Sequence, residues 1–418
     1  MSDYFDRIER QLVDRVRPAP RRVPWPARSV SQLVPAAAAV VAIAVVAVFA
    51  GLASRGGSPS PATHPSPVLA FTAVGAGGGA PPAASLKGAV AILRRRLHAE
   101  LPGVRVSRTG DRVTLSGVTG ANRARAIALT APGVLRFYDW EADTLTPAGR
   151  SVAVGIVRQD PAALVISQGT RTGPGAAGAG SLSLYQAVRI AARSAPWRGT
   201  APVGATLYLF GRPGSPACAT AARDRGETIV AGVHCLLAGP TFSAAGLRAQ
   251  LPAGVALAQG QRLTDPAGII LLQAAGTGPG GVLGVVDPAG QFFVLIGRPV
   301  PIINRELTSI AASTDAGGQP DVTFSFTPSA ARAFTAATRT IARRGSALST
   351  TGNTFDQHFA IALDGRLVTV PSIDFRAYPD GIQSGNRADI SGGFTARGAR
   401  DLAALLRFGP LAVRLVAR

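Results

Sequence analysis

The sequence predicts an α+β protein carried on a single N-terminal membrane helix, and three observations support that expectation. One long uncharged apolar run stands near the N-terminus; behind it, short strand-like segments alternate with amphipathic helical ones; and 47% of the 418 residues are hydrophobic against 16% charged, a balance that buries cores.

No charged residue falls between Ser29 and Ser54, and Leu33 to Leu52 is almost wholly Ala, Val, Ile, Leu and Phe, long enough for one transmembrane helix over residues 29–54. Arg7, Arg10, Arg15, Arg17, Arg21, Arg22 and Arg28 precede it, whereas Arg55 is the nearest charge behind it. The positive-inside rule therefore places residues 1–28 in the cytoplasm and everything past about residue 55 outside the cell membrane. The 28 residues ahead of the run exceed an ordinary signal-peptide n-region, so the anchor is expected to be retained. Within the cytoplasmic segment Phe5, Ile8, Leu12 and Val16 have helical spacing, and residues 55–67 form a Pro/Gly/Ser linker.

Residues 68–143 read as a compact unit. Val68 to Val74 is a strand; Ser85 caps a helix to Leu101 with Val90, Leu93 and Leu97 on one face; Val104 to Ser107 and Arg112 to Ser116 are strands joined by a turn at Gly110. A second helix over Ala121 to Thr130 stops at Pro132 and Gly133, and Val134 to Asp139 is a closing strand. The order βαββαβ is that of a ferredoxin-like unit.

Residues 144–300 form an intermediate α+β region: a helix from Ser181 to Arg193, then strands at Ala205 to Phe210, Thr228 to Leu237, Gly268 to Gln273, Val282 to Val286 and Phe292 to Ile296. Cys218 and Cys235 lie here, and an exported chain makes a disulfide between them the expectation. A metal site of Cys218, His234 and Cys235 lacks zinc spacing.

Residues 301–418 are the most regular. Val322 to Phe326 is a strand, Thr327 caps a helix with Pro328 at its first position, and Ala330, Phe334, Ala337 and Ile341 line one face up to Gly345. Phe359, Ile361 and Leu363 then lead into a hairpin turning at Asp364 and Gly365, with Val368 placed opposite Ile361 and Val370 opposite Phe359. Thr395 caps a helix with Leu402, Leu405 and Leu406 inward, Gly409 closes it, and Leu411 to Val416 is a last strand.

Little in the chain carries chemistry. Its glycine-rich runs, Gly75 to Gly79 and Gly276 to Gly281, lack a phosphate-binding lysine, and Ser384 misses nucleophile-elbow spacing by one position. The histidines are scattered, and Asp139 and Glu141 flank Trp140 at the frayed end of a strand with no cleft motif around them. The net charge of +20 is almost all arginine, spread along the chain without stacking aromatics, so no nucleic-acid partner is expected. No cofactor, no metal and no enzymatic activity are expected either.

The run from Leu307 through Gly318, Gln319, Pro320, Asp321 and Val322 to Phe326, the helix with Phe334 and Thr338, the strand Ile361 to Arg366, the segment Val370, Pro371, Ser372, and Ile390 to Thr395 with the helix Ala399 to Leu406 together resemble the first extracytoplasmic domain of the protein-export subunit SecD. Residues 92–140 resemble the base of the same domain. The resemblance implies a base, a mixed α/β head inserted above it, and a final helix and strand returning toward the base. It also implies contact with translocating polypeptide and with components of the Sec translocon, without the proton-conducting membrane helices that follow this domain in SecD. The alternative is an envelope protein that keeps the fold and binds a wall component or a membrane partner. The candidate polypeptide-binding element is the hairpin of Ile361, Leu363, Asp364, Gly365, Val368 and Thr369, through strand addition.

The charge asymmetry around residues 29–54 predicts that a reporter enzyme fused after Arg418 is active only outside the cell. Cytoplasmic activity there, or a mature N-terminus near Ser54, contradicts it.

Overall fold

The structure, a computed structural model, describes residues 68–75, 79–168, 182–194, 205–225, 231–241, 243–266, 270–274, 292–296, 299–315, 317–350, 354–383, 387–391 and 395–417. The expected cytoplasmic segment, membrane span and linker, together with the strand expected at Val282 to Val286, lie outside these residues. Among the described residues no helix is long and apolar enough to cross a membrane.

In chain order the first elements are β1 (Leu69–Val74), α1 (Ala83–Glu100), β2 (Arg105–Thr109), β3 (Arg112–Ser116), α2 (Arg123–Leu129) and β4 (Leu135–Asp139). Their boundaries agree closely with the sequence pattern, though α1 starts behind Pro82 with no side-chain cap, so Ser85 lies inside the helix. The ferredoxin-like expectation is right in kind and wrong in one strand. β4 does not join β1, β2 and β3; it pairs with a strand more than two hundred residues later. The place at the sheet's other edge is taken by β16 (Arg414–Ala417), giving the order β16-β1-β3-β2 with every neighbour antiparallel. The physical reason is burial. β16 supplies Leu415, and the turn before it Leu411 and Val413, to a core built from Phe71, Leu93, Leu97, Val113 and Leu115, while the inward residues of β4 belong to other cores.

Next come α3 (Trp140–Asp143), α4 (Val152–Val157), α5 (Pro161–Gln168) and α6 (Leu184–Ala191), the last capped by Ser183, whose backbone N–H bonds Gln186 in return. β5 (Thr206–Gly211), α7 (Pro216–Arg225), β6 (Cys235–Thr241), α8 (Ala244–Ala249) and β7 (Gln261–Asp265) form a small three-layer unit with strand order β6-β5-β7. Alternation along β5 explains the layers: Tyr208 and Phe210 pack with α6, Leu207 and Leu209 with α7 and α8. Two expectations are corrected here. The stretch between the cysteines contains a helix, and the strand begins at Cys235, not Thr228.

β8 (Ile270–Ala274), β9 (Phe292–Leu295), β10 (Leu307–Thr314), β11 (Pro320–Phe326), α9 (Pro328–Leu348), β12 (Gln357–Leu363), β13 (Arg366–Thr369), β14 (Ser372–Ile373), β15 (Arg387–Ser391) and α10 (Ala396–Arg407) complete the chain before β16. Thr327 accepts a hydrogen bond from the Ala330 N–H and Thr395 from that of Gly398, as the cap residues predict. The helix begun at Pro328 runs past Gly345, which is buried against Phe355 and Phe375. β12 is the centre of a mixed sheet, with β4 on one side and β13 and β14 on the other, and β13 continues to β8 and β9. A separate sheet of order β10-β11-β15 covers α9 with Val322, Phe324, Phe326 and Ile390.

α10 lies between the two large cores. Ala399, Leu402, Ala403 and Leu406 enter the core of the upper sheets, and Ala404 enters that of the β16-β1-β3-β2 sheet. The resemblance implied this return of the last helix and strand, and the fold has it.

Asp265, at the end of β7, is buried, and its Oδ1 has no hydrogen-bond partner among the described residues; burial pushes its carboxyl up to about 8. An acid whose folded pKa is raised binds its proton more tightly in the native state, so the fold loses stability as pH climbs from about 4 to about 8 and nothing further above. Asp265→Asn is expected to gain about 1–3 kcal/mol at pH 8 and almost nothing at pH 4 in urea titrations. Equal effects at both pH values contradict a protonation origin.

Candidate functional site

The hairpin expected to bind polypeptide has its first strand paired on both sides, while Gly365 and Arg366 at its turn are exposed. Asp364 and Gly365 do form its turn, with φ of 53° and 76°. Register departs from expectation by a bulge: Leu363 faces Arg366 and Ala362 faces Leu367, but Ile361 faces Thr369, not Val368. Ile361 is in the core, Leu363 packs against it, and the backbone of β12 is bonded on both sides. β13 is joined to β8 through Arg366 and Leu367. The hairpin therefore offers no free edge along β12.

What the turn does is hold the passage from α2 into β4. The Asp364 carboxylate accepts from the backbone N–H groups of Gly133 (2.9 Å) and Val134 (2.8 Å), and the Asp364 N–H donates to the Val134 carbonyl. Asn304 adds two bonds, donating to the Gly133 carbonyl at 2.7 Å and accepting from the Leu135 N–H. From below comes Arg96 of α1, wholly buried, whose guanidinium donates to the carbonyls of Leu129, Ala131 and Pro132 and, across the gap, to those of Leu405 and Gly409. These are the open carbonyls at the ends of α2 and α10, where a cation is favoured twice over, by hydrogen bonding and by the helix dipole.

Gly133 is required here. Its φ is 79°, and a Cβ would stand 2.6 Å from the Arg96 guanidinium. Burial lowers Arg96 to about 10, still charged at neutral pH, and burial raises Asp364 against the pull of the two N–H groups, Arg96 and Arg414. Desolvation opposes both charges, so the arrangement holds only while each keeps its partners.

A second polar cluster joins β4 and α3 to α9 and β12. Arg344 forks onto both oxygens of Asp139 and donates to Gln357 at 3.0 Å. Glu141, completely buried, accepts from Ser167 (3.0 Å) and from the His358 N–H (2.9 Å), and the His358 ring Nδ1 lies 2.6 Å from it. Glu141 is thus not on a frayed strand end but inside α3. Asp143 is pushed well up by burial and by the neighbouring Asp139. Among the described residues Asp139 and Glu141 are engaged by Arg344, Ser167 and His358.

Cys218 and Cys235 are bonded, with Cα atoms 5.6 Å apart, tying α7 to the first residue of β6. His234 is stacked on Tyr185 at 3.6 Å.

Among the described residues a strand edge is left without a neighbour on the β10-β11-β15 sheet. Among the described residues β10 and β15 each pair only with β11. β10 is broken by a bulge at Ser309, φ 50°, and Arg407 occupies its Ile310 carbonyl at 2.9 Å. β15 has neither device, and Arg387 at its start is exposed.

These features define a class of protein: an α+β base closed by its own C-terminal strand, with a head inserted between its third strand and its last helix. Residues 283–413 match the SecDF P1 head subdomain. The chain is 32% identical over 130 residues to the protein translocase subunit SecD of Rickettsia typhi, covering 31% of this chain and 21% of that protein. With SecD of Rhodobacter capsulatus it shares 34% over 113 residues, 27% of this chain and 17% of that one. A solved structure of SecDF, described as a membrane component that enhances protein export, aligns with 84% of this chain and 97% of its own at 17% identity and a TM-score of 0.37, too distant to carry an argument. Residues 283–413 are thus similar to the P1 head subdomain of SecDF, and the matched segment spans about a fifth of the length of the curated relatives.

Asp364→Ala should cost about 2–4 kcal/mol, because it leaves the Gly133 and Val134 N–H groups without their acceptor. Gly365→Ala, with nothing within 4 Å of the new Cβ, should cost only about 1 kcal/mol of turn strain. Chemical denaturation that finds Asp364→Ala the milder change contradicts the clamp.

Proposed function

We propose that this chain is a membrane-tethered, non-enzymatic module of protein export, which takes up an extended segment of exported polypeptide on its head and works beside components of the Sec translocon. The matched SecDF P1 head subdomain supports the export role. The single observation that carries the binding mode is the open β15 edge. An added strand satisfies the free backbone groups of β15 whatever its side chains, and that tolerance suits a partner that has to pass in many sequences.

β15 is well supported for this. Asp321, Val322, Thr323, Phe324 and Ser325 of β11 hold its inner edge in register, and Ile390 anchors it in the aromatic core around Phe324, Phe326 and Phe334.

A photo-crosslinking amino acid at Arg387 is expected to capture exported chains in living cells, while the same group at Leu363 captures none. Replacing Ala388 by Pro, which removes a backbone donor from the strand, should reduce capture at Arg387 several-fold if that donor faces outward. Capture confined to residues 182–296 contradicts the β15 reading.

A further inference from the structure

Taken in chain order the arginines are scattered, but the fold sorts them. Residues 68–130 and 395–418, which build the base, hold fourteen Lys and Arg against three Asp and Glu; residues 131–168 and 292–391, which build the head and its attachment, hold twelve of each. Residues 169–291 hold nine Arg against four Asp and Glu, so the base carries the largest share of the positive charge that follows residue 67. Two of the base's three acids are already engaged, since Arg125 of α2 bridges Glu100 and Asp401.

Part of the unengaged charge meets at one edge, while Lys87, Arg95, Arg123, Arg397 and Arg400 are exposed elsewhere on the base. β2 is the outer strand of the base sheet, and Arg105 and Arg108 on it, Arg112 just across the turn and Arg94 on α1 are all exposed. Register places Arg105, Ser107 and Thr109 on the same sheet face as Ser116, Thr114 and Arg112, the face turned away from α1. Arg94 reaches round from the helix side and donates to the Val106 carbonyl at 3.3 Å. Asp111, at the turn, is the only acid among them.

We propose that this β2 edge of the base docks on the anionic phospholipid headgroups of the outer leaflet, so that the base lies on the membrane and the head points away from it. The inference rests on the reading of residues 29–54 as an anchor. Thirteen residues, 55–67, separate that run from the base, and fully extended they reach no more than about 45 Å. An edge carrying four arginines is thus kept near a negatively charged surface, where each arginine strengthens attachment about fivefold and salt weakens it over a screening length of about 10 Å. The same charges keep β2 from pairing with another strand, which lets an open edge face the bilayer without aggregating.

The test uses the full chain in nanodiscs of phosphatidylcholine with or without 30% phosphatidylglycerol. With Cys218 and Cys235 bonded, Ser107→Cys gives a single reactive thiol on the β2 face, which is labelled as energy-transfer donor to a headgroup-labelled lipid. Transfer should be high with phosphatidylglycerol, fall at 0.5 M salt, and fall to the phosphatidylcholine level when Arg105, Arg108 and Arg112 are all changed to Gln, a loss on the order of 100-fold in docking. Arg332→Gln, an exposed arginine of α9, should leave it unchanged. Equal transfer in both lipids, or a triple variant that aggregates while its transfer is unaltered, overturns the proposal and leaves the arginines as edge protection alone. Failure of the full chain to enter nanodiscs overturns the anchor reading instead. Polypeptide capture at Arg387 is independent of either result.

Discussion

The backbone between α2 and β4 is where the fold is decided, and Arg96 and Asp364 hold it from opposite sides. From Ala131 to Leu135 the backbone donors and acceptors are answered by Arg96, Asp364, Asn304, the Leu411 N–H and the Ala128 carbonyl. A turn carrying this many buried polar groups is stable only when all are answered, because a single orphan costs about as much as several good contacts supply. Residues far apart in sequence, one on a base helix and one on a head hairpin, are thereby required at the same few ångströms of chain.

α10 makes the same connection with apolar surface. Its two faces enter different cores, and its C-terminal carbonyls end on Arg96. The base cannot close without β16, and β16 cannot arrive without α10 crossing beneath the head. Base and head are for that reason not two beads on a string; the elements that complete one are packed into the other.

The same economy accounts for the titratable groups. Asp139, Glu141, Asp143, Arg344 and His358 look in isolation like the makings of a catalytic centre, yet each is spent on holding α3, α9 and β12 together. The two surfaces proposed to meet partners are instead backbone on β15 and guanidinium groups on β2. Both suit partners defined by general chemistry, an extended chain and an anionic surface, more than by a particular side chain or headgroup.

The sequence by itself determined the local elements. Caps at Thr327 and Thr395, the Asp364–Gly365 turn, and the alternation through Phe359, Ile361 and Leu363 all act over a few residues, so their physics is written in consecutive letters. It determined the disulfide partners too, since only two cysteines exist. Tertiary structure decided which strand completes the base, because β4 and β16 are equally apolar and only their burial partners tell them apart. It decided that β12 of the Asp364 hairpin has no free edge, because whether an edge is free depends on which other strands reach it. The clamp at Arg96 gave no local signal at all: one arginine in a run of three, it differs from Arg94 and Arg95 only in facing inward, where two helix ends meet.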